Sequence, residues 1–500
     1  MMLKYTSKNY FMKKIIGVLF LCLLLNNNIF ALPPSLNISG AVNLTGIIFN
    51  CTINSGGIAT LTGNYSVANT LTVNSGGILN LNNFTLAAGA VIINNGGIIY
   101  EAGNTSGTSK LTSTAGIVYN RTQGHTDYSY ISSPFVSSTG AAGYYYDETS
   151  RTDGDNTTGW KSASTNFTVG KGYAISSLGT KTITASAGVK LTWANTNVAI
   201  TNTNIDATST KNGWNLLGNP FAAPMLVSAM LSTNSLAAVY IWNGTNYSTL
   251  NSGNLPSGQG FFMHTNASTT FSFNIADVST TNTNTLLRTN AVEQISLALK
   301  GENTDVTQID FSNESNVSDN FDALKDAFKK FTSTASEIFT TAENTALAIN
   351  SLNNTGDEKN IPVGISIAKE GTYELSAINN SAYANLILKD KMTGTETDIS
   401  KAAYVFTAAP GNTSDRFTLQ LPAQRVAGVD NFSSSNNKVY ANDNQTIIVN
   451  TAVDQLSITD LTGNNIYTGA ATNIKVKKSG IYLVETIKAG QKQVYKIMVK

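Results

Sequence analysis

Charge is scarce in this chain of 500 residues: Asp, Glu, Lys and Arg together make up 13% of it, about half the quarter usual in soluble proteins. Asn, Thr, Ser and Gly fill the gap, so solubility rests on neutral hydrogen-bonding groups. Thirty-two basic and 31 acidic residues leave a net charge of +1, which gives no long-range field toward nucleic acid or an anionic membrane. Cysteine is almost absent. Cys22 lies in the N-terminal apolar run, so its loss with that segment leaves Cys51 alone and excludes an intramolecular disulfide. The two histidines, His125 and His264, have no Asp, Glu or Cys around them at metal-ligand spacing. HExxH, GxSxG and a lysine-bearing phosphate loop are all missing. Asp127, Ser129, Ser132 and Ser133 near His125 are neighbours that a Ser-rich chain supplies by chance. Only a pair of carboxylates brought together in space would suffice for glycoside hydrolysis. A catalytic role is therefore not the favoured reading.

Long apolar runs are missing as well, apart from residues 15–25. Lys13 and Lys14 precede that run and Ala31 follows it, the build of a secretory signal peptide over residues 1–31. Met12 is an alternative start. The run is too short for a permanent membrane helix. Cys22, behind Phe20 and Leu21, is not read as a lipid acceptor. No transmembrane segment is expected after signal removal.

Residues 32–120 carry a repeat. Asn54-Ser55-Gly56-Gly57-Ile58, Asn74-Ser75-Gly76-Gly77-Ile78 and Asn94-Asn95-Gly96-Gly97-Ile98 recur every 20 residues, each followed by short alternations. Such a period with Gly-Gly corners predicts stacked coils of a short parallel β-helix, with asparagine ladders at the corners. An antiparallel meander with similar turns is the competing reading. Glu101 and Lys110 are the only acid and base of the stretch, too little for lyase chemistry.

Residues 121–279 read as a β-rich module. Its landmarks are Tyr130-Ile131-Ser132-Ser133-Pro134, Gly170-Lys171-Gly172-Tyr173, Trp214-Asn215-Leu216-Leu217-Gly218-Asn219-Pro220, Val239-Tyr240-Ile241-Trp242 and Gly260-Phe261-Phe262. Aromatic and branched residues beside Gly, Pro or Asn predict short strands with fixed turns. Asp147, Asp153, Asp155 and Asn156 form a loop of hard oxygen donors that is a candidate for Ca²⁺, but it lacks EF-hand spacing and the terminal Glu, so an ordinary solvated turn is the favoured reading. Tyr144, Tyr145, Tyr146, Trp160, Trp214, Trp242 and Tyr247 are candidates for a platform against sugar rings, or for buried strand aromatics.

A Thr/Asn-rich linker, 280–290, leads into residues 291–425, where eight short alternating segments predict a β-sandwich. Phe321, Leu324, Phe328 and Phe331 within it have helical spacing and predict an amphipathic helix or an irregular turn. A second polar linker, 426–437, precedes residues 438–500. There, period-two runs are broken by Asp460-Leu461-Thr462-Gly463, Lys478-Ser479-Gly480 and Ala489-Gly490-Gln491, the pattern of strands and tight turns.

Val439, Tyr440, the turn Asp460-Leu461-Thr462-Gly463, the strand opening Gly480-Ile481-Tyr482 and the closing 494–499 strand resemble the C-terminal sorting domain of proteins exported by the type IX secretion system of Bacteroidetes. Asn464 stands where that family usually has a basic residue. The resemblance implies a small Ig-like sandwich, read by the export machinery and commonly removed afterwards. Residues 121–279 and 291–425 are similar to β-rich modules of large Bacteroidetes surface proteins, which implies location rather than activity. The expectation is thus an all-β chain: a short β-helix-like repeat region, β-sandwich domains and a C-terminal Ig-like sandwich. It is expected to be secreted or held at the outer cell surface, by way of the periplasm. Its expected role is structural or adhesive, an adhesin without a required cofactor, with surface polysaccharide or glycan as a candidate partner. A carbohydrate-binding or carbohydrate-hydrolysing protein is the alternative.

Overall fold

The computed structural model describes residues 35–123, 128–152, 158–175, 179–205, 211–279, 293–314, 317–332, 334–379, 385–423, 439–442, 445–450, 453–460, 462–488 and 491–499. The expected signal segment 1–31, the expected linkers 280–290 and 426–437, His125, Asp127, Asp153, Asp155, Asn156 and Leu461 lie outside them. The fold is almost all β, with one α-helix, Val227–Asn234, among the described residues. Two compact units are present: Met1–Asn354 with Lys359–Leu421, and Thr355–Glu358 with Pro422–Lys500.

The first unit begins with parallel ladders whose central rungs are 20 or 21 residues apart. Leu36–Ile38, Cys51–Ile53, Leu71–Asn74, Ile92–Asn95 and Ile117–Gln123 pair in parallel, so that Leu36, Cys51, Leu71, Ile92 and Ile117 are aligned. Ala41–Ile48, Ile58–Val67, Ile78–Asn80 and Ile98–Tyr100 form a second ladder. The end of Ile58–Val67 pairs with Leu86–Ala88, which pairs with Leu111–Ser113, in a third. These pairings exclude the antiparallel meander for the repeat. Alternate side chains, among them Ile38, Ile53, Leu71, Val73 and Ile92, point inward and are buried.

The corners explain the Gly-Gly pairs. Gly56, Gly76 and Gly96 have φ of 76°, 79° and 83°, the left-handed region that only glycine enters without cost. The second glycine is there for space, since a Cβ on Gly77 would lie 2.7 Å from the Ile53 carbonyl oxygen. The neighbouring asparagines form a ladder: Asn74 Nδ2 donates to Asn54 Oδ1 (3.1 Å), Asn95 to Asn74 (2.9 Å) and Asn120 to Asn95 (2.9 Å). At Ile117–Gln123 the parallel stacking ends, and Gly179–Ala185 pairs antiparallel along its whole length. An edge that would otherwise present unpaired backbone groups is thereby covered.

The five landmarks of residues 121–279 each lie at or beside a strand. Trp214–Gly218, Gly260–His264, Val239–Trp242 and Tyr247–Leu250 make one sheet, and Ser129–Ile131, Tyr173–Ile175, Gly143–Tyr146 and Trp160–Ala163 another. The Ser-Ser-Pro and Gly-Asn-Pro phrases meet, Ser132 Oγ donating to the Asn219 carbonyl at 2.7 Å.

In residues 293–421 eleven strands, rather than eight, form a single sheet. It is curled: Tyr404–Ala408 lies at one end of the strand order and Gly411–Leu421 near the other, yet Phe406 and Phe417 are 5.1 Å apart. Arg416 lies over both rings and makes two bonds to Asp390, which also accepts from Tyr404. The 320–331 phrase is a turn followed by the short strand Ala327–Phe328, not a helix. Asp322 accepts from Ser318 N and Asp326 from Asp322 N, so side chains take the backbone donors. Leu324 and Phe331 of its apolar stripe remain exposed. The helix that does form, Val227–Asn234, buries Val227, Met230 and Leu231 at i, i+3 and i+4; its eight Ser- and Thr-bearing residues gave too weak a periodic signal.

The second unit has a three-stranded and a four-stranded antiparallel sheet around a shared core that includes Val439, Ile447, Leu456, Ile458, Tyr482 and Val484.

Asn74 both donates and accepts in the asparagine ladder, so Asn74→Ala should leave two partners unanswered and cost about 1–2 kcal/mol. A urea midpoint equal to that of the wild type would show that the ladder adds nothing to stability.

Candidate functional site

The residues picked out by sequence are distributed over three places. Asp147 caps a short 3-10 turn, its carboxylate accepting from Thr149 N (3.0 Å), Thr149 Oγ1 (2.6 Å) and Ser150 Oγ (2.6 Å). Burial opposes ionisation there, but these bonds hold its carboxyl below the usual range. The other three Ca²⁺ candidates lie outside the described residues. Among the described residues no group of three or more His, Cys, Asp or Glu is placed to hold a metal ion.

In the second unit, the Asp460 carboxylate accepts from Thr462 Oγ1 (2.6 Å), Thr462 N (2.9 Å) and Asn464 N (3.0 Å), and Gly463 has φ 87°. The Thr462 hydroxyl and then the Asn464 bonds keep the carboxyl below its ordinary value. Asn464 also donates from Nδ2 to Asp460 and Thr462 within the turn. Val439 and Tyr482 are buried, Tyr440 is half-buried, and Tyr482 donates to the Lys478 carbonyl. Gly480 opens a strand paired along its length with Gln491–Val499.

The aromatic residues are brought together, but inward. Tyr130, Tyr146, Trp160, Trp242, Tyr247 and Phe262 pack edge-on, tilted or, for Tyr130 and Trp242, stacked, with centroids 5.1 to 6.4 Å apart. Trp214 joins them beside Tyr240 and His264. Phe328, Leu347 and Ile349 complete the same core. Tyr144 stays at the surface against Tyr128. His264 lies 4.5 Å from the Phe328 ring and Ser133 bonds Ser138, while His125 and Asp127 fall outside the described residues.

At the centre of the rings is a cation that sequence reasoning passed over. Lys330 Nζ lies 4.3 Å from the Trp214 and Phe262 centroids and 5.0 Å from that of Tyr247. The ring faces attract the ammonium. Burial nevertheless lowers its pKa from 10.5 to about 7, against the pull of Glu148 and Glu337. Glu148 is itself buried, accepting from Gly213 N (2.7 Å) and Thr203 Oγ1 (3.0 Å) and paired with Arg151, which bonds Asn212.

The next residue along the chain makes a second buried centre. Lys329 Nζ lies 2.5 Å from Asp305 Oδ2, with the two side chains 3% and 2% exposed. Asn246 Nδ2 donates to Asp305 Oδ1 at 2.8 Å, and Ile338 N to Oδ2 at 2.7 Å. Glu337, beside Ile338, is fully buried; its Oε2 accepts from Thr332 N at 2.8 Å, while its Oε1 has no partner. Burial first, and the nearby Asp305 charge, raise its carboxyl to about 7 despite Lys329. The sequence carried little signal: Lys329 and Lys330 interrupt the apolar Ala327-Phe328 and Phe331, and Glu337 precedes Ile338-Phe339, but Asp305 stands among polar residues. A recess of about 260 Å³ near Tyr240, His264 and Phe328 is lined by Asp326, whose carboxylate already accepts from Asp322 N and Ser351 N.

Fold and site together define an all-β, sheet-rich protein whose most unusual polar groups face its own core. The chain belongs to the family described as a domain of unknown function (DUF8693), whose model matches residues 38–252 and 242–421. That second match ends at Leu421, where the first unit also ends. No curated protein and no solved structure matches the chain.

Because Lys330 is shifted down, the folded chain binds fewer protons than the unfolded one between pH 7 and 10.5. Its burial cost is present in full below pH 7 and is relieved as pH rises through that window. The Tm of the wild type relative to Lys330→Met should therefore increase from pH 7 to pH 10. A difference independent of pH would contradict a buried, shifted lysine.

Proposed function

We propose that this chain is an exported structural or adhesive protein, carried across the outer membrane by a type IX secretion machine and then displayed or released. The observation that carries the reading is the C-terminal unit. It has its own core, and its Asp460 turn is closed by its own side chains, as a segment read separately from its cargo requires. We take this unit as an Ig-like sandwich and the parallel ladders as a short β-helix; the 20-residue rungs and left-handed glycine corners support the latter. The modules 121–279 and 291–425 are then passenger, with 280–290 and 426–437 as linkers. Surface glycan is the candidate partner. A carbohydrate-binding passenger ranks second, because among the rings considered only Tyr144 is exposed, against Tyr128, while Trp214 and Tyr247 face Lys330 and Tyr145 packs on the core of the parallel ladders. Ca²⁺ would at most stiffen the Asp147 loop.

Deleting residues 494–500 removes most of a strand that pairs with Gly480–Lys488 from end to end, exposing the apolar face beneath. The truncated protein should cross the inner membrane and stop in the periplasm. Conversely, residues 433–500 behind a signal peptide and a fluorescent carrier should take the carrier to the surface or medium only in cells with a working type IX machine. Normal export of the truncated chain, or a periplasmic fusion in such cells, would refute the assignment.

A further inference from the structure

Lys329, Asp305 and Glu337 form an arrangement whose chemistry is not explained by export or adhesion. A buried ion pair is costly to keep: two charges are withdrawn from water, and their attraction repays this only when the remaining polar valences are answered. Here they are answered on the acid alone. Both oxygens of Asp305 receive hydrogen bonds, from Asn246 Nδ2 and from Ile338 N, while Lys329 Nζ approaches Oδ2 to 2.5 Å. Donors on both carboxyl oxygens also draw electron density from Cγ and stabilise an oxyanion there, as in acyl transfer.

We propose that Lys329 and Asp305 become joined by an intramolecular amide bond, with Glu337 as the proton-transfer group. The sequence of steps balances without any further reactant. In the water-excluded pair, the Lys329 proton passes to Asp305, giving a neutral amine and a neutral carboxylic acid. The nitrogen lone pair attacks Cγ and forms the C–N bond. Glu337 receives a proton from that nitrogen and returns one to the departing hydroxyl, the C–O bond breaks, and one water leaves. Nothing is oxidised or reduced, and Glu337 ends as it began. Its buried carboxyl, raised to about 7 chiefly by burial, can exist in either protonation state near neutral pH, and its Oε1 has no hydrogen-bond partner. Folding supplies the proximity that the bimolecular reaction lacks. In water the ionised forms of amine and acid oppose the reaction; burial disfavours those forms, and the product carries no charge.

The bond would close a loop of chain between residues 24 apart. It would rivet Asp305, in the strand Thr304–Ser312, to the segment that places Lys330 among the rings of residues 128–279. Among the described residues the one cysteine, Cys51, is free, and this is a covalent tie that needs no cysteine.

The full chain, purified and then denatured, decides the matter by mass, because an ion pair does not survive denaturation and an amide does. The wild type should weigh one water less than its processed sequence. Its tryptic digest should contain a branched peptide joining Asp305 to Lys329, uncut after Lys329 and cut after Lys330. Asp305→Asn should form the same amide with loss of ammonia and converge on the same final mass. Glu337→Gln keeps the shape but cannot relay the proton; it should fold, by its circular dichroism and cooperative melt, and still carry the full mass. A wild-type chain at its unlinked mass overturns the proposal whatever the variants do. A branched peptide formed at the wild-type rate in Glu337→Gln overturns the role given to Glu337.

Discussion

A sheet must dispose of its edges, and this chain has little of the charge with which edges are usually protected. At 13% charged residues, the covering is done largely by pairing. The parallel ladders end against the antiparallel strand Gly179–Ala185. The eleven-stranded sheet curls until Phe406 meets Phe417, with Arg416 and Asp390 fastening the approach. In the C-terminal unit, Gln491–Val499 runs the full length of its neighbour. Sparse surface charge and extensive edge coverage are two sides of one constraint.

The charges that the chain does carry are used unusually. Several lie inside: Glu101 takes Ser109 and the backbone of Lys110 within the ladder region, Glu148 and Arg151 pair in the module, and Lys329 and Lys330 sit between that module and the following sheet. Two adjacent lysines face different solutions, one a set of ring faces and the other a carboxylate. The aromatic residues that looked like a sugar platform are what make the first solution workable, since a π face offers a buried cation attraction without a second charge. The same core joins residues 128–279 to 293–421, which appeared in the sequence as modules separated by a linker.

A structural or adhesive role suits this construction. Repeated rungs, a side-chain ladder and edge-covered sheets resist unfolding from an end, because each coil is held by the coils on either side. Nothing in the proposed role asks for an open cleft, and the polar groups of greatest chemical interest are closed to solvent.

The sequence by itself determined the all-β class, the 20-residue rung and its Gly-Gly corners, the strand landmarks of residues 121–279 and the Asp460 turn. These are local: a period, a left-handed φ or an Asx turn is written in residues a few positions apart. Tertiary structure alone decided that the 320–331 phrase is a turn, because Asp322 and Asp326 find backbone donors, and that Val227–Asn234 is a helix, because its three apolar residues find a core. It alone placed Asn246, Asp305, Lys329 and Glu337 together. Those residues come from separate strands and turns, with no common spacing, and what brings them together is the order in which strands pair.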